Sequence, residues 1–325
     1  MTKVLRRNRS GLILDFILLL MVLSFAAGCK KSSPTSVETS APTTAGWVQI
    51  SDLYGSGVNC FGVIGTHILA ATSAGVYLST DNGLSWGWGS LPDPSVICFA
   101  AADSLVYAGT GDAGLFVSSD KGYHWELVHF WWVETAEGGL ALPVAAVAFS
   151  GTNLLAAVSD DIYFSTPGDS LWTSEHTPIP GVVQSFAVAG SKVFAAMNSE
   201  IYVSTDRGMS WTGIAQLNLD VHTLIASGPR LLAGTAGGVL VSDDNGESWT
   251  AANSGLTDTL VYSLTFSGNR LFAGTSNGVF ASPDSALSWT PLKGLPNSAT
   301  VIALMASSSN LLAGTTKYGA WRIPL

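Results

Sequence analysis

The chain has 325 residues, 47% of them apolar and 11% charged, with a formal net charge of −9. That much apolar content is ample for a hydrophobic core, and the acidic balance leaves no electrostatic footprint for nucleic acid or anionic lipid. None of the three cysteines stands at a metal-ligand spacing, so no metal or other cofactor is expected.

In chain order, Lys3, Arg6, Arg7 and Arg9 come first as a basic segment, followed by the unbroken apolar run 16–23 and the small residues Ala26-Ala27-Gly28 before Cys29. Asp15 interrupts the run upstream, and 16–28 is shorter than the ~20 residues a spanning helix needs. The pattern resembles a bacterial lipoprotein signal. That resemblance implies removal of residues 1–28 and lipidation of Cys29, with more than one acyl chain giving a stable anchor. Ala26 stands where such signals more usually have Leu, which leaves an ordinary secretory signal as the alternative. Lys30 resembles the residue that follows the cysteine in lipoproteins sent to the outer membrane. The expected location is therefore the cell envelope, lipid-anchored at the outer membrane, on its periplasmic or surface side. Residues 29–46 are the lipidated cysteine and a Ser/Thr/Pro-rich tether with too little apolar content to order itself, spanning roughly 20 to 25 Å on average. Without residues 1–28 the chain keeps 10 basic and 22 acidic side chains, a net charge of −12.

Residues 47–325 are a repeat. Seven phrases share one form: Ile68-Leu-Ala-Ala-Thr72, Val106-Tyr-Ala-Gly-Thr110, Leu154-Leu-Ala-Ala-Val158, Val193-Phe-Ala-Ala-Met197, Leu231-Leu-Ala-Gly-Thr235, Leu271-Phe-Ala-Gly-Thr275 and Leu311-Leu-Ala-Gly-Thr315. Most are followed by a strand-like phrase that runs into Ser-x-Asp-x-Gly-x-x-Trp, complete around Asp81, Asp120, Asp206 and Asp244. It is worn at Ser165/Trp172 and at Asp284, where Ala286 replaces Gly. Successive Trp residues from Trp86 to Trp289 lie 39, 47, 39, 38 and 40 apart. Four strand-length runs per period, the first starting at Val58, Val96, Val144, Val183, Val221, Val261 or Val301, predict an all-β, seven-bladed β-propeller with four antiparallel strands per blade. The last unit ends in its third strand, and residues 47–50 read as a fourth strand with no unit before it. The N-terminal strand is thus expected to complete the C-terminal blade and close a monomeric ring, which removes exposed sheet edges.

The Ser-x-Asp-x-Gly-x-x-Trp phrase resembles the Asp-box, or BNR, repeat of sialidases, xyloglucanases, sortilin-type receptors and photosystem II assembly factors. Read physically, its Asp accepts backbone N–H groups of its own turn, its Gly supplies positive φ and its Trp supplies packing surface, closing the third-to-fourth-strand hairpin. Asp81, Asp120, Asp206, Asp244 and Asp284 are accordingly structural. The resemblance is specific for fold and weak for function.

Catalytic machinery is not apparent. Sialidases bind a carboxylate through an arginine cluster, and the mature chain has Arg207, Arg230, Arg270 and Arg322, each in a repeat slot or turn. Xyloglucanases of this repeat type place paired carboxylates between two propellers, and this chain builds one. The assembly factors resemble basic-patch binders, and basic residues are scarce here. Cys60 and Cys98 share one slot in adjacent first strands, filled later by Ala146, Ser185, Thr223, Ser263 and Ala303, and are expected as buried free thiols.

The repeat breaks in one sector. Asp161 and Glu200 replace the Gly that begins the third strand elsewhere, and Asp112 and Asp160 lie in the same kind of connection. These acids are either solvated loop residues or a site for a cation or a basic ligand. The connection from Trp125 to Val144 is 7 to 9 residues longer than its counterparts and carries His129-Phe130-Trp131-Trp132, then Glu134 and Glu137. Trp131 and Trp132 are either extended core or, with Phe130, an exposed platform for a sugar ring or basic peptide. The functional expectation is a lipid-anchored envelope propeller that binds or scaffolds an envelope protein or glycan without catalysis and touches the membrane only through its anchor. The alternative is a sialidase-like or xyloglucanase-like glycoside hydrolase, or a glycan-binding module.

Overall fold

A computed structural model describes residues 46–91, 95–135, 138–167, 171–174 and 181–325. Cys29, the signal and tether segments, Glu137 and Asp169 lie outside the described residues. Two compact units separate. One is Ala45–Trp131 with Ala141–Leu325; the other, among the described residues, is Trp132–Leu140.

The larger unit is the seven-bladed ring. Its first blade has strands Val58–Ile64, His67–Thr72, Gly75–Ser79 and Gly87–Trp88, hydrogen-bonded in that order. The remaining blades begin at Val96, Val144, Val183, Val221, Val261 and Val301, each where the sequence places it. The first strands of successive blades touch one another around the whole circle, including the last against the first, so they form the inner wall. Each carries a β-bulge just after its Val, which sharpens the local twist.

The Leu-x-Ala-Gly phrase is the second strand, covered on both faces. Residues 68–72, 106–110, 231–235, 271–275 and 311–315 are buried throughout. Small residues near its end are dictated by the neighbouring blade. A Cβ at Gly234 would come within 2.8 Å of Val261 on the next blade, and one at Gly274 or Gly314 within 2.8 Å of Val301 or Val58. In these blades the inner Val of the next blade seats where a glycine has no side chain, while Ala71, Ala157 and Ala196 fill the same slot elsewhere.

The Ser-x-Asp-x-Gly-x-x-Trp turns show a shared hydrogen-bond pattern. In the first blade the buried Ser79 hydroxyl accepts from the Gly83 amide at 2.9 Å and donates to Asp81 Oδ1 at 2.8 Å. Asp81 also accepts the Ser85 amide at 2.9 Å and, through Oδ2, the Ser85 hydroxyl at 2.6 Å, while Trp86 Nε1 donates to the Gly83 carbonyl at 3.2 Å. The pattern recurs at Asp120, with His124 in place of Ser85, and at Asp206 and Asp244. In the sixth blade Ala286 takes a φ of 74° and its amide still reaches Ser282 at 2.8 Å. That left-handed alanine costs roughly 1 to 2 kcal/mol. The third blade has Pro167 at the Asp place, and among the described residues it shows three strands and a bridge between Phe164 and Thr173.

Ring closure follows the expectation. Val48–Gln49 pairs antiparallel with Ala320–Pro324, matching Val48 to Arg322 and Gln49 to Trp321, and the Ile50 amide adds a bond to the Ala320 carbonyl at 2.9 Å. Trp47 is buried among Phe272, Val279 and Leu311. Cys60 and Cys98 are free thiols on the inner strands, and burial pushes the Cys98 thiol up to about 12.

Deleting residues 47–50 is expected to cost several kcal/mol, because it removes a buried Trp worth ~3 to 5 kcal/mol and exposes a strand edge. Thermal unfolding of the truncated protein checks this; a midpoint within a degree or two of wild type would mean that the strand does not close the ring. Acid should weaken the ring for a second reason. Burial pushes the Asp81 and Asp120 carboxyls up, but hydrogen bonds outweigh it and hold both at about 2, while bonds from Ser248 and Ser288 hold Asp244 and Asp284 at about 2. A folded value below the ordinary 3.8 means that the contribution is complete above the ordinary value and disappears as pH falls through the folded one. The melting midpoint should hold from about pH 7 to 5 and decline between about pH 5 and 2, with Asp81→Asn flattening part of that decline.

Candidate binding face

Because strands alternate in direction, the second-to-third-strand turns and the connections between blades emerge at one end of the ring. The Ser-x-Asp-x-Gly-x-x-Trp turns emerge at the other. Five second-to-third turns share a clamp that the sequence reading missed. Thr72, Thr110, Thr235, Thr275 and Thr315 are buried and donate through Oγ1 to the carbonyl of Gly75, Gly114, Gly238, Gly278 and Gly319, at 2.7 to 3.2 Å. The same Oγ1 accepts an amide from inside the turn, as from Ala74 at 3.1 Å. The signal was present, since Thr ends the second-strand phrase wherever Gly begins the third.

Blades three and four lose both partners together. Val158 and Met197 replace Thr, and Asp161 and Glu200 replace Gly. The positive φ moves with them, from Gly75 at 124° in the first blade to Ser159 at 55° and Asn198 at 45°. The third strand then starts in an ordinary extended conformation, and a side chain fits. This is why an acid can stand in a glycine's place.

The expected acids fall on consecutive turns at this end. Asp112 is exposed and accepts a short hydrogen bond from the Ser95 hydroxyl. Asp160 and Asp161 follow on the next blade, both half-buried. Glu200, on the fourth, accepts from the Tyr202 hydroxyl at 3.0 Å. Among the described residues no three His, Cys, Asp or Glu side chains gather as a metal site would require. The four acids form a row along three blades, and the cation-site reading has no cluster to rest on.

Of the two readings left open for Trp131, the structure gives the core one and removes it from the candidate platform: it is 4% exposed and packs against His129, Tyr163 and Trp172, with ring centroids 4.5, 5.3 and 5.2 Å away. The physical reason is the worn third blade. Its sequence lacks the Asp and Gly of the phrase and its fourth strand, among the described residues, is a single bridge, and the long connection lays Trp131 edge-on at 77° against Trp172. Burial pushes the His129 imidazole down. Phe130 is 42% exposed, and its Cα lies against Gly114, where a Cβ would come within 3.1 Å, so it stands beside the Asp112 turn. Trp132 belongs to the separate unit, a hairpin of Trp132–Thr135 and Gly138–Ala141, in which its ring lies over Gly139.

The bulge positions of the inner strands also open toward this end, and sequence reading passed over them. His222 and Tyr262 occupy two of these positions on adjacent blades, with their rings 5.1 Å apart. Burial pushes the imidazole down, opposed by Asp220. The signal was the residue after each leading Val. The arginines serve the ring: Arg230 bonds the Ser285 carbonyl at 2.8 Å and pairs with Asp243 at 3.3 Å, Arg270 lies over Phe272, and Arg322 sits in the closing sheet.

Residues 144–259 match the family model described as "DUF6242 beta propeller domain". No curated protein matches the chain in sequence. Among solved structures, it is similar to the extracellular domain of the putative one component system BT4673 from B. thetaiotaomicron, with 18% identity and a TM-score of 0.67 over 86% of this chain and 40% of that one. It is also similar to YCF48 bound to D1 peptide, with 14% identity and a TM-score of 0.65 over 89% of this chain and 100% of that one. The Niastella koreensis GH74 enzyme gives 19% and 0.63 over 83% of this chain and 43% of the enzyme. The chain thus spans well under half the length of the first and third. Likeness at such identities establishes the propeller fold alone.

Trp131→Ala is expected to lower stability by ~3 to 5 kcal/mol, as removal of a buried Trp does. Phe130→Ala should stay within about 0.5 kcal/mol of wild type, as exposed positions do. Denaturant unfolding of the two variants separates core from surface; equal, small losses would return Trp131 to the surface.

Proposed function

We propose that the protein is a lipid-anchored envelope propeller that binds or scaffolds a partner polypeptide through the acidic row of blades two to four, without catalysis. The observation that carries this reading is the row itself. Asp112, Asp160, Asp161 and Glu200 occupy consecutive turns at one end of the ring, with exposed Phe130 beside the first. On a mature chain of net charge −12, such a row attracts a basic segment, and an aromatic ring beside it adds apolar and cation–π contact. The ring-serving roles of Arg230, Arg270 and Arg322 favour binding over sialidase-type chemistry. A solved propeller of similar length is bound to a peptide, and others are extracellular domains, which supports a polypeptide partner and an envelope location. Cys29 is the proposed lipid attachment point, with 1–28 as signal, 29–46 as tether and the outer membrane as destination.

Affinity capture from the native envelope tests the proposal. Wild-type protein should retain a polypeptide in a salt-sensitive manner, and a triple Asp112→Asn, Asp161→Asn, Glu200→Gln variant should lose it at unchanged melting midpoint. Cys29→Ala should abolish lipid labelling and release the protein from membranes. Capture that survives the triple variant would refute the site. Turnover of sialosides or β-glucans that disappears with any of these acids would establish the glycoside hydrolase instead.

A further inference from the structure

The turn after the third strand has one slot whose side chain the ring does not use, and the chain fills it with apolar residues. In Ser-x-Asp-x-Gly-x-x-Trp the residue after the Gly is Leu84, Tyr123 or Met209 in the first, second and fourth blades, and Leu287 follows Ala286 in the sixth. All four are between 43% and 74% exposed. Their backbones belong to the turn, as where the Leu84 amide donates to Asp81 Oδ1 at 3.0 Å, yet the turn asks nothing of their side chains. Tyr123 lies edge-on to His67 at 6.1 Å and is exposed all the same. The fifth blade carries exposed Glu247 in this slot with its turn hydrogen bonds intact. Water favours such a charged residue there, so the four apolar ones are not explained by packing.

Equivalent slots of a closed ring stand at one height around its axis, so these side chains form a level rim and not a single patch. Hot spots of protein contacts cluster near the centre of an interface, whereas a level, dispersed rim suits a flat medium. The chain's own connection says which one. Val48 pairs with Arg322 as Gly87 pairs with Leu78, so Trp47 holds the place of Trp86, the residue that follows a Ser-x-Asp turn. The Leu325 amide bonds the Ser309 carbonyl at 3.0 Å, between the first and second strands of the last blade, so the C-terminus lies at the same end. The proposed tether 29–46 therefore joins the ring at its apolar end, and the acidic row stands at the opposite one. Of the eight Lys and Arg in residues 47–325, Lys121, Lys192, Arg207, Arg230 and Arg270 also stand at the apolar end, in turns or at strand starts. Lys121 and Arg207 lie two residues before Tyr123 and Met209, where long basic side chains can keep their charge in water while their stems lie on lipid.

We infer that this rim is a second membrane contact: the propeller sits end-on on a zwitterionic bilayer surface, with Leu84, Tyr123, Met209 and Leu287 entering the interface and the acidic row facing away toward its partner. The inference rests on the lipid-anchor reading of Cys29 and goes beyond the expectation that the anchor alone touches the membrane. Tyr suits the headgroup level and Leu and Met the acyl boundary below it. The net charge of −12 on the mature chain gives no attraction to anionic lipid, so the contact is apolar. Apolar points spread around a ring also keep it from tipping, which a flexible tether by itself does not.

Full-length lipidated protein in vesicles of phosphatidylcholine and phosphatidylethanolamine tests this, with an environment-sensitive fluorophore on Leu84→Cys, Leu287→Cys or Tyr54→Cys. The background is Cys60→Ala with Cys98→Ala, since the repeat already holds Ala146 and Ala303 in that slot. Tyr54 is the control, because it is exposed beside Gly319 at the acidic end. Emission at 84 and 287 should shift to the blue and be quenched by doxyl lipid, and emission at 54 should do neither. Quenching of a probe on Tyr123→Cys should be lost when Leu84→Ser, Met209→Ser and Leu287→Ser are combined, with the melting midpoint near wild type, as exposed positions allow. Probes at 84 and 287 that stay in water, or quenching shared equally by 54, would overturn the rim contact. Lipid labelling of Cys29 separates the two claims: labelled lipid with probes in water removes the rim contact and keeps the anchor, whereas unlabelled Cys29 with probes quenched on added vesicles keeps the rim contact and removes the anchor. Capture of a polypeptide in vesicle-free buffer that is lost in the triple serine variant would assign the rim to a protein instead.

Discussion

The ring depends on one small polar knot, the serine hydroxyl that opens each Ser-x-Asp turn. Ser79, Ser118, Ser204, Ser242 and Ser282 are buried, and each has both its partners, an amide to accept from and a carboxylate to donate to. A buried hydroxyl missing a partner would cost about 1 to 3 kcal/mol, so the turn is tightly specified. The knot also joins blades. A Cβ at Gly83, Gly122 or Gly208 would run into Leu312, Leu69 or Leu155 on the second strand of the preceding blade. The Asn310 and Asn153 side chains reach forward to bond the carbonyls of Asn82 and Arg207 in the next turn. Hairpin closure and blade-to-blade sealing are thus performed by the same residues.

Where the knot is missing, other chemistry takes its place, and the substitutions cluster. The third blade lacks the Asp and, among the described residues, shows only a bridge in place of its fourth strand, and Trp131, Trp172, Tyr163 and His129 pack there as an aromatic cluster. The neighbouring turns drop the Thr–Gly clamp and gain acids. Asp160, Asp161 and Glu200 stand in the two turns freed of the glycine requirement, whereas Asp112 stands in a turn that keeps the Thr110–Gly114 clamp.

Much of this was legible in the sequence. Trp-to-Trp spacing fixed blade number, the leading Val residues marked every first strand, and the orphan strand at 47–50 pointed to closure, since all three follow from local periodicity and chain order. The acids at 112, 160, 161 and 200 were visible as breaks in that period. Periodicity could not say which way Trp131 and Trp132 face. Trp131 is decided by contact with Trp172, a residue 41 positions away whose own turn has decayed. Nor could it show that Asp161 fits because Ser159 takes over the positive φ, or that Gly234, Gly274 and Gly314 are small because the next blade's Val occupies their side-chain space. A repeat determines what each blade is. What each blade meets is set by close packing across the ring, which only the tertiary structure specifies.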